Sequence, residues 1–127
     1  MNWGESRFMV AAFGVTERAN IFKALQILGA SQANIVGTPV FSDALEISMS
    51  SGQIDLALFY SDCLKTPNSS KAGSMQRFKQ ANPQTTVLAV SPDGDEASMR
   101  AVGVDYFIAG NACRPAELSR ALKTLSL

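Results

Sequence analysis

The side chains that could do chemistry gather around one apolar run. Residues 54–62 read Ile-Asp-Leu-Ala-Leu-Phe-Tyr-Ser-Asp, with five consecutive apolar residues from Leu56 to Tyr60 and turn formers on both sides. That is the pattern of a strand buried on both faces of a parallel sheet. Open α/β sheets keep their functional sites at the carboxyl ends of their strands. Tyr60 and Asp62 therefore fall on the rim where a site belongs. A carboxylate there offers a nucleophile or a hard oxygen ligand, whereas a phenol offers packing and one hydrogen bond. Histidine is absent. This removes the usual general base, the usual neutral metal ligand and any Ser-His or Cys-His nucleophile pair.

The remaining chemical features are sparse. Cys63 and Cys113 have no metal-site or redox spacing, and two free thiols in a reducing compartment is the plain reading. Both cysteines fall in loops on the same predicted rim, so a reversible disulfide is a rival reading. It needs Cα atoms within about 7 Å, and their strands are not neighbours in the expected sheet. Ser69-Ser70 and Ser91-Pro92-Asp93-Gly94 suit phosphate by composition, but turn chemistry explains them more cheaply. No GxGxxG or Walker loop occurs. The loop after the first strand, Phe13-Gly14-Val15-Thr16-Glu17, has one glycine and one hydroxyl, too few for a flavin phosphate loop. A nucleotide- or flavin-binding flavodoxin-like enzyme is thus a distant alternative. We expect no catalytic residues, no metal and no cofactor.

The elements that must position these residues follow from hydrophobic periodicity. Phe8 to Phe13 reads as a first strand, with Thr16 as a helix N-cap. Ile21, Phe22, Leu25 and Leu28 then share a helical face, ended by Gly29. A short strand lies near Ala33 to Gly37. Pro39 and Ser42-Asp43 open a second helix carrying Phe41, Leu45 and Met49, and Ser50-Ser51-Gly52 closes it. After the central strand, Ser61 to Gly73 reads as a long loop. A third helix buries Ala72, Met75 and Phe78 and ends at Asn82-Pro83. Thr85 to Val90 is a fourth strand. A short fourth helix carries Met99 and Val102 and stops at Gly103. Tyr106 to Ala109 is a fifth strand, Gly110 to Arg114 a loop, and Pro115 opens a last helix with Leu118, Leu122 and Leu125 inward.

Five strand–helix units predict parallel strands, right-handed crossovers and helices on both faces. This is α/β, a flavodoxin-like (βα)5 three-layer sandwich with sheet order 2-1-3-4-5. At 127 residues it reads as a single domain over 1–127, with its core about 7–125. Lys plus Arg equals Asp plus Glu at 11 each, so the formal net charge is zero. That balance argues against direct nucleic-acid binding and leaves little barrier to self-association. No apolar run approaches the roughly 20 residues needed to span a membrane. The N-terminus lacks a signal-peptide core, so a cytoplasmic location is expected.

From Arg7 to Leu125 the chain resembles a response-regulator receiver domain. Ile54-Asp55-Leu56-Ala57-Leu58-Phe59 resembles the run before the family's phosphorylated aspartate. Thr86-Val87-Leu88-Ala89-Val90-Ser91 resembles its fourth strand, which ends in Thr or Ser. Gly103-Val104-Asp105-Tyr106-Phe107-Ile108 resembles the approach to its fifth strand, and Arg114-Pro115-Ala116-Glu117-Leu118 the start of its last helix. The family's chemistry uses two acidic residues after the first strand and an acceptor aspartate to hold Mg²⁺. A Thr or Ser and a Lys then hold the transferred phosphoryl oxygens.

Carried onto this chain, the acidic pair falls on Ala12 and Phe13 and the acceptor on Tyr60. The lysine position falls on Gly110 or Asn111, and only Ser91 keeps its type. Asp62 takes the acceptor role if the register shifts by two. The switch aromatic of the family falls near Phe107. The resemblance thus implies a degenerate pocket and a phosphorylation-independent pseudo-receiver, not an enzyme. Such a domain would be a protein-interaction or dimerisation module in bacterial signal transduction or transcription control. Its partner would be a sensor, regulator or output domain, or a second copy. The family's docking face maps here to Met99, Arg100, Tyr106, Arg114, Arg120 and Lys123, a mildly basic strip. The alternative is a phospho-accepting receiver that uses Asp62.

Overall fold

A computed structural model describes residues 1–39, 44, 47, 52–64, 71–92, 96–110, 114–125 and 127, with the backbone alone for 63, 64 and 71–74. The strands are β1 (Phe8–Ala11), β2 (Ile35–Thr38), β3 (Leu56–Tyr60), β4 (Thr86–Ser91) and β5 (Tyr106–Ala109). All neighbours pair in parallel, in the order β2-β1-β3-β4-β5. The helices are α1 (Val15–Ile27), α2 (Ser61–Leu64), α3 (Lys71–Ala81), α4 (Glu96–Val102) and α5 (Pro115–Thr124). Between β2 and β3, Ala44 and Ile47 are helical and Ala44 is buried. The expected second-helix residues Phe41, Leu45 and Met49 lie outside the described residues.

The three layers follow from the two-residue period of the strands. Phe8, Val10, Leu56, Leu58, Tyr60, Leu88 and Val90 point to one face, where they meet Ile21, Ala24 and Leu25 of α1 and Leu118 and Leu122 of α5. Met9, Ala11, Ala57, Phe59, Val87 and Ala89 point to the other, against Met75 and Phe78 of α3 and Met99 of α4. There the Phe59 and Phe78 rings meet edge to face, 5.5 Å apart, a geometry favoured by the ring quadrupoles. β3 lies mid-sheet and is buried along its whole length, which is why its sequence shows no polar alternation.

Several boundaries differ from the sequence reading. The stretch expected to be loop from Ser61 to Gly73 contains α2, and α3 begins at Lys71. Thr16 does not cap α1. Gly14 is the N-cap, and no side chain of the cap residue bonds the helix. β2 spans Ile35–Thr38 rather than starting at Ala33, because Gln32–Asn34 forms a 3-10 turn. β4 extends one residue further, through Ser91. Gly29 and Gly103 do end their helices. Both hold positive φ, 109° and 113°, the left-handed turn in which a Cβ is strained.

Candidate functional site

Aspartates bind the sheet's ends to their neighbours. At the amino ends, the Asp55 carboxylate accepts the Arg7 N–H at 2.8 Å. The Asp105 carboxylate accepts the Val87 N–H at 2.9 Å and the Lys79 ammonium at 2.6 Å. Among the described residues, the carboxyl rim shows the same device at one aspartate. Asp62, in the first turn of α2, accepts the Phe13 N–H at 3.0 Å through Oδ1 and the Gly14 N–H at 3.1 Å through Oδ2. Beside it the Arg18 guanidinium donates to the Ala12 carbonyl at 2.8 Å. The Glu17 carboxylate lies against Gly14, in space that a Cβ there would fill.

The ladder sets the register at this rim. β1 pairs with β3 through Phe8↔Leu56 to Ala11↔Phe59, so the next position on each strand is Ala12 and Tyr60. Ala12 is fully buried and Tyr60 is 8% exposed, both in the core layer shared with α1 and α5. Phe13 behaves differently. It is 67% exposed, so its ring points to solvent and does not line a pocket with Ala12 and Tyr60. Ser91 ends β4 fully buried, and its carbonyl accepts the Gly110 N–H at 3.0 Å. Asn111, Cys113 and the side chain of Cys63 lie outside the described residues. Phe107 is half-buried and packs on the α3/α4 layer.

The structure thus brings Ala12, Tyr60 and Asp62 to the ends of two adjacent strands, while Ser91 and Gly110 lie further along the same rim. The donor set does not suit Mg²⁺, which requires several oxygen ligands, usually carboxylates. A methyl group occupies the end of β1, and the Asp62 oxygens face backbone N–H groups. Among the described residues, no three His, Cys, Asp or Glu side chains gather into a ligand set. No described helix is long and apolar enough to cross a membrane.

On the face built by α4, β5 and α5, Tyr106 is 37% exposed, and Arg100, Arg114, Arg120 and Lys123 are exposed. Arg100 pairs with Glu96 at 3.3 Å and Arg114 with Glu117 at 3.1 Å, so the strip is less basic than its arginines suggest. Met99 does not belong to this face. At 3% exposure it is a core residue, because its position on α4 points at the sheet.

The Asp62 bridge is the feature that sequence reasoning missed. Its signal was present: an aspartate two residues past a strand whose expected neighbour is the first strand. Without the loop geometry, nothing assigned that carboxylate to particular N–H groups.

No family model and no curated protein matches the chain. Solved structures do match. A response regulator from Thermotoga maritima superposes with TM-score 0.72 at 18% identity, over 94% of this chain and 96% of its own. The response regulator TrrA from the same organism, in complex with Mg²⁺-BeF, gives 0.70 at 17% identity, over 94% and 98%. A pilus-assembly-related protein from Burkholderia pseudomallei gives 0.74 at 15% identity, over 96% and 90%. The fold is therefore that of the CheY-like receiver domains, flavodoxin-like with sheet order 2-1-3-4-5. At these identities the likeness is one of fold.

Proposed function

We propose that this chain is a pseudo-receiver: a receiver-fold domain that works by protein interaction in bacterial signalling or transcription control, without phosphoryl transfer. The observation that supports this reading is the β1/β3 register, which brings Ala12 and Tyr60, both buried, to adjacent strand ends; the resemblance assigns carboxylates to these two positions. A phosphoryl group arriving there would meet a methyl group and a packed phenol. Without a divalent cation to neutralise the transferred charge, positioning and electrostatic stabilisation, the main sources of catalysis in phosphoryl transfer, are both weak. Ser91 keeps its type, but its buried hydroxyl has no phosphoryl oxygen to follow, and Phe107 loses the input for a coupled switch.

The partner face on this reading is α4–β5–α5, with Tyr106, Arg100, Arg114, Arg120 and Lys123 outward. Tyr106 is the natural anchor, since exposed aromatic side chains carry disproportionate binding energy. The partner is a sensor, regulator or output domain, or a second copy of the chain, and the location is cytoplasmic. The Burkholderia neighbour, described by its role in pilus assembly, supports a use of this fold beyond proteins described as response regulators.

The deciding experiment is intact-mass measurement after incubation with a small phosphodonor and Mg²⁺. The expected result is an unchanged mass. A gain of one phosphoryl group, lost in Asp62→Asn, would establish the alternative in which Asp62 is the acceptor.

A further inference from the structure

We propose that Asp62 is a positioning residue whose carboxylate clamps the β1–α1 loop to the end of β3, a tie between the two strand ends made without metal or phosphoryl group. The ladder between β1 and β3 stops at Ala11↔Phe59. The next amide, Ala12 N–H, turns to the Thr38 carbonyl of β2 at 3.1 Å. The two amides after it belong to neither strand nor helix. The Phe13 amide is at an exposed position and the Gly14 amide at a partly buried one, where an unpaired donor would cost free energy. Asp62 takes both, one with each oxygen, at 3.0 and 3.1 Å. Two successive N–H groups facing one anion form a concave anion cradle, and hydrogen bonds to an ionised acceptor are stronger than neutral ones.

Three consequences follow for the molecule. The clamp joins points 48 and 49 residues apart in sequence, so it couples the β1–α1 loop to the first turn of α2. It sets the start of α1, because clamped Gly14 offers its carbonyl to the Arg18 N–H at 3.0 Å. It also turns Phe13 and Val15, 67% and 71% exposed, outward on either side of the held glycine. A carboxylate stabilised in this way is a poorer nucleophile, and a cation approaching it would compete with both amides. The inference rests on these bonds and not on the interaction reading of the domain.

The test is amide exchange at Phe13 and Gly14, read by NMR in the wild-type chain, Asp62→Ala and Asp62→Asn. In Asp62→Ala both amides should exchange at least about tenfold faster, as expected for losing a hydrogen bond to a charged acceptor. Protection within β3 and β4 should stay unchanged. Asp62→Asn keeps the size of the side chain but turns one acceptor into a donor, so one of the two amides should be released. It also carries the test if the alanine variant does not fold. Adding Mg²⁺ to the wild-type chain should leave both exchange rates as they were. Equal rates in wild type and Asp62→Asn would overturn the clamp. So would Mg²⁺-dependent release of the two amides, which would make the carboxylate a metal ligand. Neither result depends on whether the chain accepts a phosphoryl group.

Discussion

At the scale of single residues, the rim is defined by what each side chain contributes once buried. Tyr60 is 8% exposed and packs in the layer between the sheet and α1/α5. Tyr60→Ala should cost about 3 kcal/mol or more, as for other large aromatic truncations, measured by urea unfolding. Tyr60→Asp should be at least as damaging, because it adds the burial of an unpaired charge to the lost packing. It should not restore phosphoryl acceptance, since Ala12 and Phe13 would still supply no ligand. Phe13 lies two residues before the start of α1 and is mostly in solvent. Phe13→Ser should change stability by less than about 0.5 kcal/mol. A large loss would place that ring in the core.

At the scale of elements, the junctions depend on aspartates and on left-handed glycines, two of which, Gly29 and Gly103, end helices. At the start of β5, Asp105 receives both the Val87 N–H and the Lys79 ammonium. These bonds have unequal value. The ion pair is 36% exposed on each side, so solvent screens it, and Lys79→Ala should cost at most about 1 kcal/mol. Asp105→Ala also strands a partly buried backbone donor and should cost about 2 kcal/mol. The Lys79 ammonium also donates to the Gly103 carbonyl at 3.0 Å, so comparing the two variants by chemical denaturation reads the Val87 amide's partner against the contacts of the ammonium. Gly103 ends α4 at φ 113° with Met75 Cγ 3.5 Å from where a Cβ would stand. The space is adequate and the backbone is not, so Gly103→Ala should cost about 1 kcal/mol or more from strain alone.

At the scale of the whole molecule, the sheet order puts β2 and β5 at the edges. β5 shows two exposed residues in four, whereas β3 shows none. Charge does little to oppose association, because the formal net charge is zero. On the interaction reading, light scattering should report concentration-dependent association of the purified chain, and Tyr106→Arg should reduce it. Dimers that persist in Tyr106→Arg would move the interface elsewhere, and a strict monomer at all concentrations would leave only a heterologous partner.

Much of this protein was legible in one dimension. The uninterrupted apolar run Leu56–Tyr60 announces a strand covered on both faces. The i, i+4 spacing of Leu118 and Leu122 announces the buried stripe of α5. Gly29 and Gly103 mark helix ends, because left-handed backbone selects the residue without a Cβ. These signals are local, and burial writes them directly into residue type. The β1/β3 register was not legible from alternation, because both strands are apolar and buried on both faces; Ala12 and Tyr60 were assigned to the rim through the family resemblance. Contacts between segments far apart in the chain were not legible in the same way. Only the folded chain turned Met99 inward and Phe13 outward, made a helix of Ser61–Leu64, and gave the Asp62 carboxylate to the amides of Phe13 and Gly14. Residue type reports how much a side chain avoids water; where a polar group finds its partner depends on loops brought together by the sheet.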